Sequence, residues 1–119
     1  MARIMVVDDE GYARRYMRRV LKRVGHEVHE ATDGHQALAV LRAHPVDLLI
    51  TDLIMPQGRG IEEITACRKE FPKLKIIAVS GVAAYLNVAR RVGAHVTLEK
   101  PFNNRELLEA VDELLSRQD

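Results

Sequence analysis

The sequence contains a single cysteine, Cys67, which excludes an internal disulfide framework. Cys67 lies in a helical stretch without metal-ligand company and reads as a packed thiol. Long apolar runs are missing too. None approaches the roughly 20 residues of a membrane span, and the opening MARIMVVDDE lacks the apolar core of a signal peptide. A cytoplasmic protein with no membrane partner is therefore expected. Neither sign of charge dominates: 18 basic against 17 acidic side chains leave a net charge of +1, too little for a global field that would draw nucleic acid. Aromatic residues make up only 4% of the chain, so base-stacking platforms are lacking as well. There is no Walker loop and no GxGxxG turn. The histidines His26, His29, His35, His44 and His95 fall on different elements without ligand spacing. Linkers, repeats and low-complexity tracts are absent, and 119 residues suit one domain, 1–119, able to bury a core without staples.

What is present is a strict alternation. Short apolar runs at Arg3 to Val7, His26 to Ala31, Asp47 to Thr51, Lys75 to Val79 and His95 to Leu98 read as strands. IMVV, LLIT and IIAVS are continuously apolar, as for strands covered on both faces, whereas HEVHEA alternates like an edge strand. Amphipathic segments at Gly11 to Val24, Gly34 to Ala43, Gly60 to Glu70, Val82 to Val92 and Asn104 to Arg117 read as helices. Thr32-Asp33-Gly34 supplies capping residues, and Gly25 and Gly93 stand where helices stop. Alternating strand and helix implies right-handed crossovers and a parallel sheet. The expected fold is α/β, a three-layer doubly wound sandwich with five strands in the order 2-1-3-4-5 and five helices, of the flavodoxin-like class. In such sheets the functional crevice lies beyond the carboxyl ends of the strands, where the winding direction reverses.

Those strand ends carry the chemistry. The first delivers Asp8 and Asp9 in VVDDE, the third Asp52 in TDLIMP, the fourth Ser80 in AVSG, and the fifth Lys100 in LEKPF. Singly, each has a structural explanation: an aspartate capping a helix, a serine opening a turn, a solvated lysine. Their convergence on one edge marks a site. Two carboxylates about 4 Å apart repel by roughly 4 kcal/mol at an effective dielectric near 20, so three acids together call for a cation. Hard oxygen donors without a histidine or thiolate cluster point to Mg2+, with Mn2+ as surrogate. Asp52 is then the nucleophile expected to hold an acyl phosphate, while the metal, Lys100 and the Ser80 hydroxyl stabilise the oxygens of a phosphoryl group in flight. Lys100 precedes Pro101, which pushes it away from helical geometry; the isomer of that peptide bond is left open.

With VVDDE, DLIMP followed by Gly60, Ser80-Gly81 and EKPF spread from end to end, the chain resembles the receiver domain of two-component response regulators. The resemblance implies that Asp52 accepts a phosphoryl group from a phosphohistidine of a histidine kinase or histidine phosphotransfer protein. It implies that Asp9, Asp52 and the Ile54 carbonyl bind Mg2+, that Asp8 holds a metal water, and that Ser80 and Lys100 contact the phosphoryl group. Receivers commonly carry Tyr or Phe three residues before the lysine, where this chain has Thr97, so the readout is expected to depart from an aromatic switch. Ile54, two residues beyond the phosphoacceptor, should shield the acyl phosphate and prolong its life. The basic face of the first helix, with Arg14, Arg15, Arg18 and Arg19, reads as a solvated face or as a partner-docking surface. The expected role is a stand-alone regulator or relay intermediate, monomeric or dimerising on phosphorylation, with little enzymatic turnover beyond loss of its own phosphoryl group. A receiver fragment of a longer regulator is the other reading. A haloacid-dehalogenase-like phosphatase shares the aspartate, hydroxyl, lysine and Mg2+, but needs a second Asp two residues on as general acid, where Ile54 stands. A flavodoxin-like cofactor module would need an uncharged phosphate loop where Asp8, Asp9 and Glu10 lie.

Overall fold

The computed structural model describes residues 1–53 and 60–117. Five strands, β1 (Arg3–Val7), β2 (Glu27–Ala31), β3 (Leu48–Asp52), β4 (Lys75–Ser80) and β5 (Val96–Glu99), alternate with α1 (Gly11–Arg23), α2 (Gly34–Ala43), α3 (Gly60–Glu70), α4 (Ala83–Val92) and α5 (Asn104–Ser116). All strand pairs are parallel and the order is β2-β1-β3-β4-β5, as the alternation predicts. HEVHEA forms the edge strand β2, and the continuously apolar runs form the three central strands.

The two-residue period of a strand divides the core cleanly. Ile4, Val6, Leu48, Ile50, Ile77 and Val79 face Met17, Val20 and Leu21 of α1 and Leu107, Val111 and Leu114 of α5. Their alternates Met5, Val7, Leu49, Ile76 and Ala78 face Leu41 of α2, Ile64 and Cys67 of α3, and Leu86 and Ala89 of α4. Each large aliphatic side chain so buried contributes about 1.5–3 kcal/mol of transfer free energy. Cys67 is the packed thiol anticipated, its pKa pushed up to about 11, first by burial and then by Glu63 and Glu70.

Several boundaries shift for local reasons. His26 stays outside β2 because its ring Nδ1 accepts the Ala2 N–H at 3.1 Å. His95 stays outside β5, its Nδ1 taking the Ile76 N–H at 3.1 Å. Val82 is the N-cap of α4 rather than its first residue, and α1 closes before Gly25, whose φ of +99° only glycine adopts without strain. At the other end of the sheet, β3 and β4 run one residue further than their apolar patterns suggest. Asp52 pairs with Val79 in the ladder, so the acid is part of the strand itself.

The helices α2 and α3 also meet through a polar contact. The Glu63 carboxylate Oε1 accepts the Gly34 N–H at 2.8 Å at the start of α2, while its Oε2 is buried without a hydrogen-bond partner among the described residues. A Cβ on Gly34 would lie 1.7 Å from the Glu63 carboxyl carbon, so any other residue there would displace the Glu63 side chain from this contact. Burial, opposed by the Gly34 N–H and reinforced by Asp33 and Glu62, raises the Glu63 pKa to about 7. Between pH 4.5 and 7 the folded chain thus keeps a proton that the unfolded chain releases, and folding stability falls as pH rises through that window. The loss is up to about 3 kcal/mol at about 1.36 kcal/mol per pKa unit. His26, whose pKa burial lowers, acts in the opposite sense near neutrality. Comparing wild type with Glu63→Gln isolates the carboxyl: denaturant melts at pH 5 and pH 8 should show a smaller alkaline loss in the variant. Equal losses would show that Glu63 ionises freely in the fold.

Candidate functional site

The carboxyl ends of β1, β3, β4 and β5 bring together Asp8, Asp52, Ser80 and Lys100, with Asp9 one residue beyond Asp8. One carboxylate oxygen from each of Asp8, Asp9 and Asp52 lies within 4.8 Å of the others. Asp8 and Asp52 are buried, at 0% and 5% exposure, while Asp9 opens to solvent. Lys100 reaches in from the end of β5, its Nζ 3.3 Å from Asp52 Oδ2 and 3.5 Å from Asp8 Oδ2. The Lys100 N–H donates to the Ser80 carbonyl at 2.9 Å, and the Lys100-Pro101 peptide is cis. Ser80 is fully buried, and its hydroxyl oxygen accepts the Val82 N–H at 3.0 Å, closing the turn into α4.

Electrostatics follow from this packing. Asp8 is pushed above the usual carboxylate range, chiefly by burial and further by the Asp52 charge. The Glu10 N–H on Asp8 Oδ1, at 2.9 Å, and Lys100 oppose the rise. Burial would lower the Lys100 ammonium, but the carboxylates of Asp52 and Asp8 outweigh it and the net movement is upward. Three carboxylates against one ammonium make the cluster net acidic, which a bound dication would balance. Opposite ligands of an octahedral Mg2+ sit about 4.2 Å apart, twice the ~2.1 Å metal–oxygen distance. The acidic cluster is thus of the size and donor chemistry that such an ion takes, with only small closure required.

The other residues singled out by sequence fall as follows. Ile54 lies outside the described residues. Glu10, third of the run of acids, is the N-cap of α1 and accepts the Tyr12 N–H at 3.1 Å, which leaves Asp8 and Asp9 to the cluster. Thr97 stands on β5 opposite Ala78, its hydroxyl accepting from the Arg90 guanidinium of α4. Of the α1 arginines, Arg15 and Arg19 are exposed, on the outer face of the helix. Arg14 is turned into the fold, with Nε on Glu30 Oε1 at 3.1 Å and Nη1 donating to the Asp8 carbonyl at 2.8 Å. Arg18 shares Glu30 at 3.0 Å through its other oxygen. By sequence Arg14 is one more surface cation. The signal that sets it apart is its place one turn into α1, where a side chain leans back over the preceding turn towards the strand end.

A recess of about 950 Å³ is lined by Met1, Leu41, Phe71 and Leu74 among others at the amino ends of the strands, the edge opposite the acids. No helix among the described residues is long and apolar enough to cross a membrane.

Comparison with known proteins converges on one family. A profile of the response regulator receiver domain matches residues 4–112. The response regulator receiver protein CpdR of Brucella abortus is 32% identical over 117 residues, covering 97% of this chain and 98% of that protein. The chemotaxis protein CheY of Thermotoga maritima is 31% identical over 94% of this chain and 96% of its own length. The sensor kinase CckA of Brucella abortus is 35% identical over 99% of this chain, which spans only 13% of that kinase. Among solved structures, the chemotaxis protein CheY4 of Vibrio cholerae superposes with a TM-score of 0.89 at 30% identity, covering 96% of this chain and 98% of its own.

Proposed function

Because the chain belongs to the response regulator receiver domain family, a phosphoacceptor signalling fold rather than a conventional enzyme, we propose that Asp52 accepts a phosphoryl group from a phosphohistidine of a histidine kinase or histidine phosphotransfer protein. The observation that carries this reading is the convergence of the Asp8, Asp9 and Asp52 oxygens within 4.8 Å of one another, with Lys100 against two of them. Asp8, Asp9 and Asp52, with the Ile54 carbonyl, would hold Mg2+, or Mn2+ in its place; when bound, it supplies positive charge to the transferring phosphoryl oxygens. An Asp52 carboxylate oxygen forms the new bond to phosphorus as the phosphorus–nitrogen bond of the donor imidazole breaks, its electron pair staying on the ring nitrogen. Lys100, already 3.3 Å from Asp52, would stabilise the oxygens of the incoming group. The Ser80 hydroxyl, whose oxygen accepts the Val82 N–H, would donate its O–H to the same group. Thr97, bonded to Arg90, ties β5 to α4 at the position where an aromatic residue would otherwise report the change.

Intact mass tests the reading. With a small acyl phosphate and Mg2+ the chain should gain one phosphoryl mass, and with a chelator none. Ile54, two residues beyond the acceptor in sequence, predicts that the added mass persists for minutes after donor removal. Equal labelling with and without Mg2+ would contradict the metal role, and loss within seconds the shielding.

For the partner, Arg15 and Arg19 on the outer face of α1, the helix that follows the acids, fit an acidic face on the donor protein. Reversing both to Glu should slow transfer from the cognate kinase by about tenfold or more at low salt, where charge steering is strongest, and leave labelling by a small acyl phosphate unchanged. Unaltered kinase transfer would rule out that face.

A further inference from the structure

Asp8 is held at every polar atom it has. Its N–H donates to the Ala31 carbonyl of β2 at 3.2 Å. Its carboxylate takes the Glu10 N–H on one oxygen and faces Lys100 with the other. Its carbonyl, just past the last residue of β1, receives the Arg14 guanidinium at 2.8 Å. Arg14 is in turn fixed at 3.1 Å by Glu30, the residue next to Ala31, and its side chain is only 17% exposed. Two consecutive residues of β2 therefore control both backbone handles of Asp8, one directly and one through Arg14.

We propose that Arg14 and Glu30 are a positioning pair for the cation site, a clamp on the Asp8 carbonyl that sets the plane of the Asp8-Asp9 peptide and hence the aim of both carboxylates. The inference rests on the dication reading above. The peptide unit is rigid, so turning the Asp8 carbonyl about the chain necessarily carries the Asp9 nitrogen and Cα with it. Like charges on Asp8, Asp9 and Asp52, only partly offset by the Lys100 ammonium, push that unit outward when no dication is bound. A charge-assisted bond from a largely buried guanidinium resists the push with fixed geometry. Glu30 does more than hold Arg14 in place: it neutralises a positive charge that would otherwise repel an incoming metal ion.

This division of labour separates positioning from plain electrostatics. Removing the Arg14 charge should by Coulomb's law tighten cation binding, whereas losing the clamp should weaken it. Mg2+ titration of the full chain by calorimetry is the test. Arg14→Met should bind Mg2+ at least about tenfold more weakly, in the range found for outer partners of metal ligands. Arg14→Lys, which keeps the charge and one donor, should fall between it and wild type, and Glu30→Gln should also weaken binding. Arg18→Met, which loses a Glu30 contact but none to Asp8, should stay within about twofold. Amide exchange at Asp9 should quicken in Arg14→Met while the core strands stay protected; should that variant fail to fold, Arg14→Lys and Glu30→Gln give the same reading. Unchanged or tighter Mg2+ binding in the folded Arg14 variants overturns the clamp while leaving the dication reading intact. A wild-type chain that takes up no Mg2+ overturns that reading and the clamp together.

Discussion

Asp52→Asn should gain no phosphoryl mass under conditions where the wild-type chain gains one. The substitution preserves shape and removes the anionic nucleophile, and neither neighbouring acid can take over. Asp8 is fully buried, engaged on one oxygen by the Glu10 N–H and on the other by Lys100. Its raised pKa weakens its ionised form further. Asp9 projects into solvent, whereas Lys100 Nζ stands 3.3 Å from Asp52. A rate loss of at least about 10³ corresponds to ~4 kcal/mol of transition-state stabilisation. Fold stability feels two opposed effects: neutralising Asp52 removes one cause of the raised Asp8 pKa, but it also removes the charge paired with Lys100 at 3.3 Å. Labelling of the Asp52→Asn variant on another residue, at a rate near wild type, would move the acceptor away from β3.

Lys100→Ala is the second large effect, and here stability and chemistry fall together. The ammonium sits between two carboxylates that are almost completely buried. Breaking a buried pair by removing one partner costs about 3–5 kcal/mol; the lysine is itself 33% exposed, so screening reduces this to roughly 1–3 kcal/mol. The sign of the pH dependence follows from Asp8. Its folded pKa is raised, so the folded state retains a proton that the unfolded state gives up, and stability falls as pH rises through the carboxylate range. Without Lys100 that proton is held to higher pH. The deficit of the variant should therefore be small at about pH 4, where more of the acids are neutral, and full near pH 7. The Lys100 ammonium contributes stability below its ordinary value of 10.5 that fades only as pH climbs through the higher folded value, so its absence is felt across neutrality. Mg2+ should return most of the lost stability, because the dication supplies the missing positive charge. Phosphorylation by a small acyl phosphate should slow by about 10², the usual consequence of removing one preorganised charge at a developing anion. Melts at acid and neutral pH with and without Mg2+, with a labelling time course, check this. A deficit independent of both pH and Mg2+ would mean that Lys100 acts by packing alone.

Architecture and the gathering of polar groups on one edge are properties of the residue pattern. Continuous apolar runs in IMVV, LLIT and IIAVS require strands covered on both faces, and strict alternation with amphipathic helices permits few topologies. Every strand of a parallel sheet points the same way, so the residues that end the runs must share an edge. Asp8, Asp52, Ser80 and Lys100 share one edge for that reason alone. Which charged groups near that edge face inward is a matter of packing between elements. Glu10 and Asp9 are adjacent acids in the chain, yet one caps α1 and the other joins the cluster. Arg14 and Arg15 are adjacent cations, yet one holds Asp8 from within and the other lies on the outer face. Glu63, a helix-surface acid by pattern, ends beneath the start of α2 with a pKa of about 7. Periodicity describes the neighbours of a residue along its own element, whereas these fates depend on partners from other elements: Glu30 for Arg14 and Gly34 for Glu63. The approach distance and dielectric that set such pairings exist only once the layers have packed.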